Sequence, residues 1–300
     1  MTISAKVIAD SINCYGVRIT TMELVYPRFI HSELMTHRVF SRNSASSRAI
    51  PVKAMLDTIM GDPATPIHWG KNQPGMQAKE ELDQPEKARA QSLWHAAMMS
   101  AITLSEDMHN LGVHKQISNR VTEPFQHMKV VVTSTEWNNW DWLRDHDDAQ
   151  PEIHELAKQI VKARKESQPR QLWGGEWHVP YVTVKRSKLG TLNYYDENDD
   201  VISAEQALMI SASCCAQTSY RKSDTSLEKA ETIYKRLIES EPCHASPVEH
   251  QALSVEGMLN ERGTWIAGVT HIDRRADFWS GNFRTWIQHR QLIPNNVRRG

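Results

Sequence analysis

Between residues 34 and 51 the chain reads LMTHRVFSRNSASSRAIP. Three arginines, one histidine, one asparagine and four serines fall inside it. No helical or strand register gathers its few apolar residues onto one face. The run therefore lies at the rim of a core built by its neighbours. Before it, VRITTMELVYP (residues 17–27) is rich in β-branched side chains and reads as a strand stopped by proline. Phe29, Ile30, Leu34 and Met35 then approach a helical period. After it, AIPVKAMLDTIM reads as a short helix opened near Pro51.

The rest of the chain supplies that core. Residues 61–77 are dense in Pro and Gly and read as loop. Pro85 opens a long helix whose stripe includes Leu93, Trp94, Met98, Ala101, Ile102 and Leu111. A second helical stretch is expected over residues 130–143, although Val130, Val131 and Val132 also suit a strand. Ile153, Leu156, Ile160 and Val161 predict a third helix over 152–165. Residues 172–185 read as loop then strand, and 194–203 as a turn leading into a strand or helix start. Ser203 with Gln206, and Thr225 with Glu228, match the capping-box spacing and open two more helices. In NFRTWIQHR, a helix would place Arg284 and Gln288 on one side with Arg290 near its end, a candidate grip for a pyrophosphate. Strands and helices do not alternate regularly. The expected class is α+β, a mixed or antiparallel sheet packed with long helices. It is read as one domain over 1–300, with 169–200 as an insertion.

Composition narrows the chemistry. A net charge of -1 gives no global basic field for nucleic acid or a membrane surface, so an anionic ligand has to be held by local arginines. No apolar run is long enough to span a bilayer, and no secretory leader is read. Cys14, Cys214, Cys215 and Cys243 are expected as reduced thiols, which predicts a cytoplasmic protein. HExxH and Cys-x-x-Cys are absent, so no metal site is expected. GxSxG, the P-loop and GxGxxG are absent too. Arg38 and Arg48 are permanently charged forks suited to phosphate oxygens, and Ser44, Ser46 and Ser47 complete an anion cradle. Asn43 both donates and accepts, which suits the edge of a planar heterocycle. Trp69, Lys71, Asn72, Trp173 and Trp177 either wall a ligand site or pin long loops.

These residues resemble the flavin-dependent thymidylate synthases. That family carries Arg-His-Arg, seven residues, then Ser, with Asn three before the Ser and Arg two after it. Here Thr36-His37-Arg38 is followed after seven residues by Ser46, with Asn43 and Arg48 in register. NRVTEPF (119–125) and NNWDWLRDHDDAQPEI (138–153) resemble a second family block. The stretch from CAQTSY to HASPVEH (215–250) resembles a third, the family's His-x-Ser-Pro segment. That third block precedes the arginine motif in the family and follows it here, so the motif order is rearranged. Five positions depart from the pattern. Thr36 and Gln217 replace arginines, Thr135 stands near an expected arginine, and Glu33 and Ser44 replace Gln and Glu.

The resemblance implies methylation of dUMP to dTMP, with methylenetetrahydrofolate as one-carbon donor, reduced FAD as hydride source and NADPH as reductant of the flavin. It implies a homotetramer with active sites shared between subunits. By the same carry-over Arg144 acts on the pyrimidine ring as the catalytic residue. Glu33, Thr36, Ser44, Ser46, Arg48 and Arg120 join it in binding the nucleotide. His37, Arg38, Asn43, Asn139, His244 and Ser246 contact FAD. Because an ionised carboxylate only accepts hydrogen bonds, Glu33 raises an alternative: a dCMP-directed or hydroxymethyl-forming relative. A catalytically silent nucleotide- or flavin-binding protein is the remaining alternative, motivated by Thr36 and Thr135.

Overall fold

The computed structural model describes residues 3–219 and 223–298. It is α+β. Strands β1 (Ser4–Ile12) and β2 (Arg18–Pro27) form a hairpin with a register shift between Val7 and Ala9. A 3₁₀ turn, Arg28–Ile30, leads into α1 (His31–Met35), and the polar run then becomes β3 (Ser41–Ser44). Helices α2 (Val52–Gly61), α3 (Gln84–Asn110) and α4 (Lys115–Ser118) follow. A 3₁₀ segment, Asn119–Phe125, joins them to β4 (His127–Ser134). Then come α5 (Asn138–Arg144), α6 (Pro151–Glu166) and β5 (Arg170–Gln171). These strands make one sheet in the order β3-β4-β2-β1-β5, antiparallel except for the β1–β5 pair.

The period-2 pattern of β2 and β4 sorts their side chains between two faces. Met22, Leu24, Tyr26, Val130 and Val132 are buried with Trp140, Ile153, Leu156 and Ile160 of α5 and α6. Thr21 and Thr133 turn the other way, toward the C-terminal half. The expectation of a helix from residue 130 is corrected here. The valine run stays in β4, where β-branched side chains pack on the pleat, and the helix begins only at Asn138.

The C-terminal half contributes short strands and two helices. Strands β6 (Trp177–His178), β7 (Thr183–Arg186), β8 (Leu192–Tyr195) and β9 (Val201–Ile202) precede α7 (Ala204–Ala216) and α8 (Leu227–Leu237). Then β10 (Ala252–Leu253), β11 (His271–Ile272), β12 (Phe278–Ser280), β13 (Phe283–Arg284) and β14 (Ile287–Gln288) close the fold. The Ser203–Gln206 capping box forms at α7. At α8 the cap is Ser226, which accepts from the Lys229 amide, one residue beyond the expected Thr225. NFRTWIQHR is not helical: β13 and β14 occupy it. Arg284 is ion-paired with Glu136 at 2.6 Å and Asp277 at 3.2 Å, and Arg290 with Glu249, so their charges are already matched within the chain.

Candidate functional site

The run that opened the sequence analysis packs against α5. Trp140 of α5 is buried, with the His37 ring edge-on to it at 4.8 Å and Phe40 at 5.7 Å. Four residues on, Arg144 ends the helix, and its guanidinium reaches back over the same corner. Its Nε donates to His37 Nε2 at 3.1 Å and its Nη2 donates to Thr36 Oγ1 at 3.3 Å. Its Nη1 stands 3.7 Å from Glu33 Oε2. Since arginine only donates, His37 Nε2 is the acceptor and the ring proton sits on Nδ1. Burial pushes the His37 pKa down to about 4, and Arg144 and Arg42 add to the effect, so the imidazole is neutral at neutral pH. Burial lifts the Glu33 carboxyl above the usual range; Arg144 opposes this and Glu152 adds to it. Arg42 serves the scaffold, donating to the Met35 and His37 carbonyls where α1 ends.

Arg144 and Glu33 line a cavity of about 1000 Å³ whose other walls include Phe29, Ile67, Met76 and His154. The far wall is the Pro- and Gly-rich loop after α2, for which the sequence offered no chemistry. Its tether is Glu152, 2% exposed, whose Oε1 accepts from the Ile67 amide at 2.7 Å. Gln150 donates to the other oxygen and caps α6 through Oε1 to the Ile153 amide. Trp69 and Trp94 meet edge-on at 6.4 Å, and Trp94 Nε1 donates to the Ala64 carbonyl. The tryptophan here pins the loop. Lys71 is ion-paired with Glu80, and Trp177 packs edge-on against His289.

A second corner lies at the other end of β3. Asn119, fully buried, donates to the Ser47 and Ile50 carbonyls at 2.8 and 2.9 Å and so fixes the turn that carries Arg48. Arg120, the next residue, is exposed and 3.5 Å from Glu123 Oε1. Ser47 Oγ and Arg28 reach the same carboxylate. The Ser46 amide donates to Ser219 Oγ at 2.8 Å, and Asn43 Nδ2 donates to the Cys215 carbonyl at 3.0 Å. Ser44 pairs with Val130 in the sheet. Arg38, Arg48, Asn139, His244 and Ser246 are exposed. Among the described residues, Arg38 and Arg48 take part in no ion pair.

The chain thus gathers Glu33, Thr36, His37 and Arg144 at one corner, and Ser46, Arg48 and Arg120 at another. The four-residue β3 between them spans roughly 13 Å at the usual rise. Two of the family departures are structural. Gln217 is 2% exposed and bridges Ser213 and Asp224, and Thr135 Oγ1 accepts from the Arg284 amide at 3.1 Å. Among the described residues no group of histidine, cysteine, aspartate and glutamate has metal-binding geometry, and no helix is long and apolar enough to cross a membrane.

A family model described as "Thymidylate synthase complementing protein" matches residues 18–170. The match covers β2, β3 and β4 of the sheet, Arg38, Arg48, Arg120 and Arg144, and ends before the third sequence block at 215–250. Among solved structures, the chain is similar to a UMP/dUMP methylase, PolB, from Streptomyces cacaoi bound with 5-Br UMP. Identity is 16%, coverage 55% of this chain and 89% of that chain, and the TM-score 0.47. A second structure of that protein, bound with 5-Br dUMP, gives 15%, 55%, 90% and 0.46. No curated protein matches the chain.

Proposed function

The chain belongs to the thymidylate synthase complementing protein family, and within it we propose that the protein methylates carbon 5 of dUMP to give dTMP. The methylene group of methylenetetrahydrofolate, a hydride from NADPH and a proton enter; dTMP, tetrahydrofolate and NADP⁺ leave. The observation that carries the reading is Arg144, held by a neutral imidazole and a hydroxyl at the wall of a cavity large enough for a ring.

Carbon 5 of uracil is a weak nucleophile. Stabilising negative charge along the ring's nitrogen-3 edge pushes electron density toward carbon 5. A preorganised guanidinium beside that edge stabilises the charge where it develops. No protein thiol is required. Burial raises the pKa of all four cysteines, Cys214 to about 12, so none offers a ready thiolate at neutral pH. In this reading Ser46, Arg48 and Arg120, with Ser44 beside them, hold the phosphate.

Family membership implies FAD, and the donor set fits it. Arg38 is exposed, without an ion-pair partner among the described residues, and follows His37 directly; Asn139 is exposed beside Trp140. A guanidinium and an amide so placed are suited to a pyrophosphate and a heterocycle's carbonyl edge. Asn43, His244 and Ser246 complete the set by the same carry-over, and His37 supports it by its packing on Trp140. When bound, FAD would relay the hydride. The separation of the two arginine corners and the exposed Leu93, Leu104 and Leu111 of α3 and its C-cap support sites completed between copies in a homotetramer.

The test is purified protein with dUMP, methylenetetrahydrofolate, FAD and NADPH, read by product mass. A methylated nucleotide is expected. A hydroxymethylated product, or turnover of dCMP, would favour the second reading, for which the Glu33 carboxylate beside Arg144 speaks. Binding without turnover would leave a silent nucleotide- or flavin-binding protein.

A further inference from the structure

The donors of Arg144 are used unevenly. A guanidinium has five N–H groups in a rigid fork. Nε and Nη2, which share one edge, are directed at His37 and Thr36. Nη1 is 3.7 Å from Glu33, close enough for attraction and too far for a hydrogen bond. One edge is therefore fixed by the protein. The other, between Nη1 and Nη2, is left with two parallel donors beside the cavity that Arg144 and Glu33 line.

The acceptors are fixed in turn. Thr36 Oγ1 spends its own proton on the Glu33 carbonyl at 2.7 Å, which leaves a lone pair for Arg144. His37 is clamped between Trp140 at 4.8 Å and Phe40 at 5.8 Å, and its neutral Nε2 is free to accept. Beyond Glu33 the cavity wall carries Asp147, Asp148, Glu152 and Glu155 against Lys79, which pairs with Asp148, and Lys158, so the acidic groups outnumber these lysines. A dianionic phosphate entering there meets repulsion, whereas a planar pair of acceptors on a ring edge meets the fork.

We infer that Thr36, His37 and Glu33 are positioning residues for Arg144. Thr36 and His37 lock one guanidinium edge, while Glu33 holds the opposite edge as a counter-ion that the acceptor pair of a planar ring displaces. This rests on the proposed function for the identity of the ring, but the locking itself stands on the hydrogen bonds alone. It gives work to Thr36 and Glu33, two residues that depart from the family pattern.

The test reads Arg144 directly. Native protein is labelled with phenylglyoxal and each arginine is followed by peptide mass spectrometry, with exposed Arg38 and Arg48 as internal references. Losing one hydrogen bond from a charged donor is worth about a factor of ten at the low end. Thr36→Val is therefore expected to label Arg144 about tenfold faster with the references unchanged, and Thr36→Ser to return it to the wild-type rate. Glu33→Gln is expected to raise the rate as well. In the methylation assay Thr36→Val lowers kcat with KM little changed, and Thr36→Ser recovers it. Arg144 labelling at the wild-type rate in both Thr36→Val and Glu33→Gln would overturn the inference. If wild-type protein forms no methylated nucleotide, the functional proposal falls, and the labelling rates still decide the positioning.

Discussion

At the scale of single residues, the corner around Arg144 is a problem of directed donors. Lysine in that place keeps the charge and loses the fork, because an ammonium cannot bond His37 and Thr36 along one edge and still present two parallel donors. Arg144→Lys is expected to lower the methylation kcat by about 100-fold, the scale of removing one preorganised donor from a developing charge. The melting temperature should stay near wild type, since the side chain is at the rim. Steady-state kinetics beside a thermal melt checks this; a kcat within threefold of wild type would show that point charge alone suffices. His37 adds a condition of its own. With its pKa at about 4 it remains an acceptor through the neutral range, so the clamp does not titrate there. The sequence showed His37 and Arg144 as separate members of two motifs. Their contact, 107 positions apart, is made by tertiary packing that no local pattern encodes.

At the scale of elements, two loops are each tethered by a buried polar side chain. Glu152 holds the loop after α2 through the Ile67 amide. Glu152→Ala removes that acceptor and leaves a donor unpaired, a cost of about 1–3 kcal/mol if the loop stays shut. The loop is expected to open instead, with faster hydrogen exchange at Ile67 and a higher KM, while α6 keeps its protection. Asn119 does the same for the Arg48 turn by two carbonyl bonds. Asn119→Ala should raise the KM for the nucleotide and lower stability by about 1–3 kcal/mol, measured by substrate titration and denaturant unfolding; an unchanged KM would detach that turn from the phosphate. Elements with several periods of patterning were legible: β2, α2, α3 and α6 lie where alternation and helical stripes put them. The boundary between β4 and α5 was not, because a valine run satisfies a buried strand and a buried helix equally. The many two-residue strands of the C-terminal half were illegible for a simpler reason: two residues hold no period.

At the scale of the whole molecule, the two halves meet across a buried polar chain. Ser11 Oγ bonds His178 Nδ1 at 2.9 Å, and His178 Nε2 bonds Thr21 Oγ1 at 2.9 Å. Thr21 Oγ1 meets Thr133 Oγ1 at 2.7 Å, and Thr133 Oγ1 meets His250 Nδ1 at 2.8 Å. The threonines belong to the family-matched sheet and the histidines to the half beyond it, so this chain fastens one to the other. His178 did not stand out in sequence, where fourteen histidines are spread along the chain, and His250 figured there only as the end of HASPVEH. Burial lowers the pKa of each to about 3; Arg170 adds to the effect at His178 and His178 at His250, while Asp10 opposes it. The unfolded chain takes up these protons near pH 6.5 and the folded chain only near 3. Between those values the unfolded state binds more protons, so stability falls as the pH drops, and above 6.5 the two states bind equally. Each histidine contributes a slope of about 1.4 kcal/mol per pH unit in that window. His250→Asn keeps an acceptor near the Nδ1 position and removes the titration. Denaturant unfolding from pH 7.5 down to 4.5 is expected to show a shallower loss for the variant by about that slope. Parallel curves for variant and wild type would mean that His250 takes its proton without opening the joint between the halves.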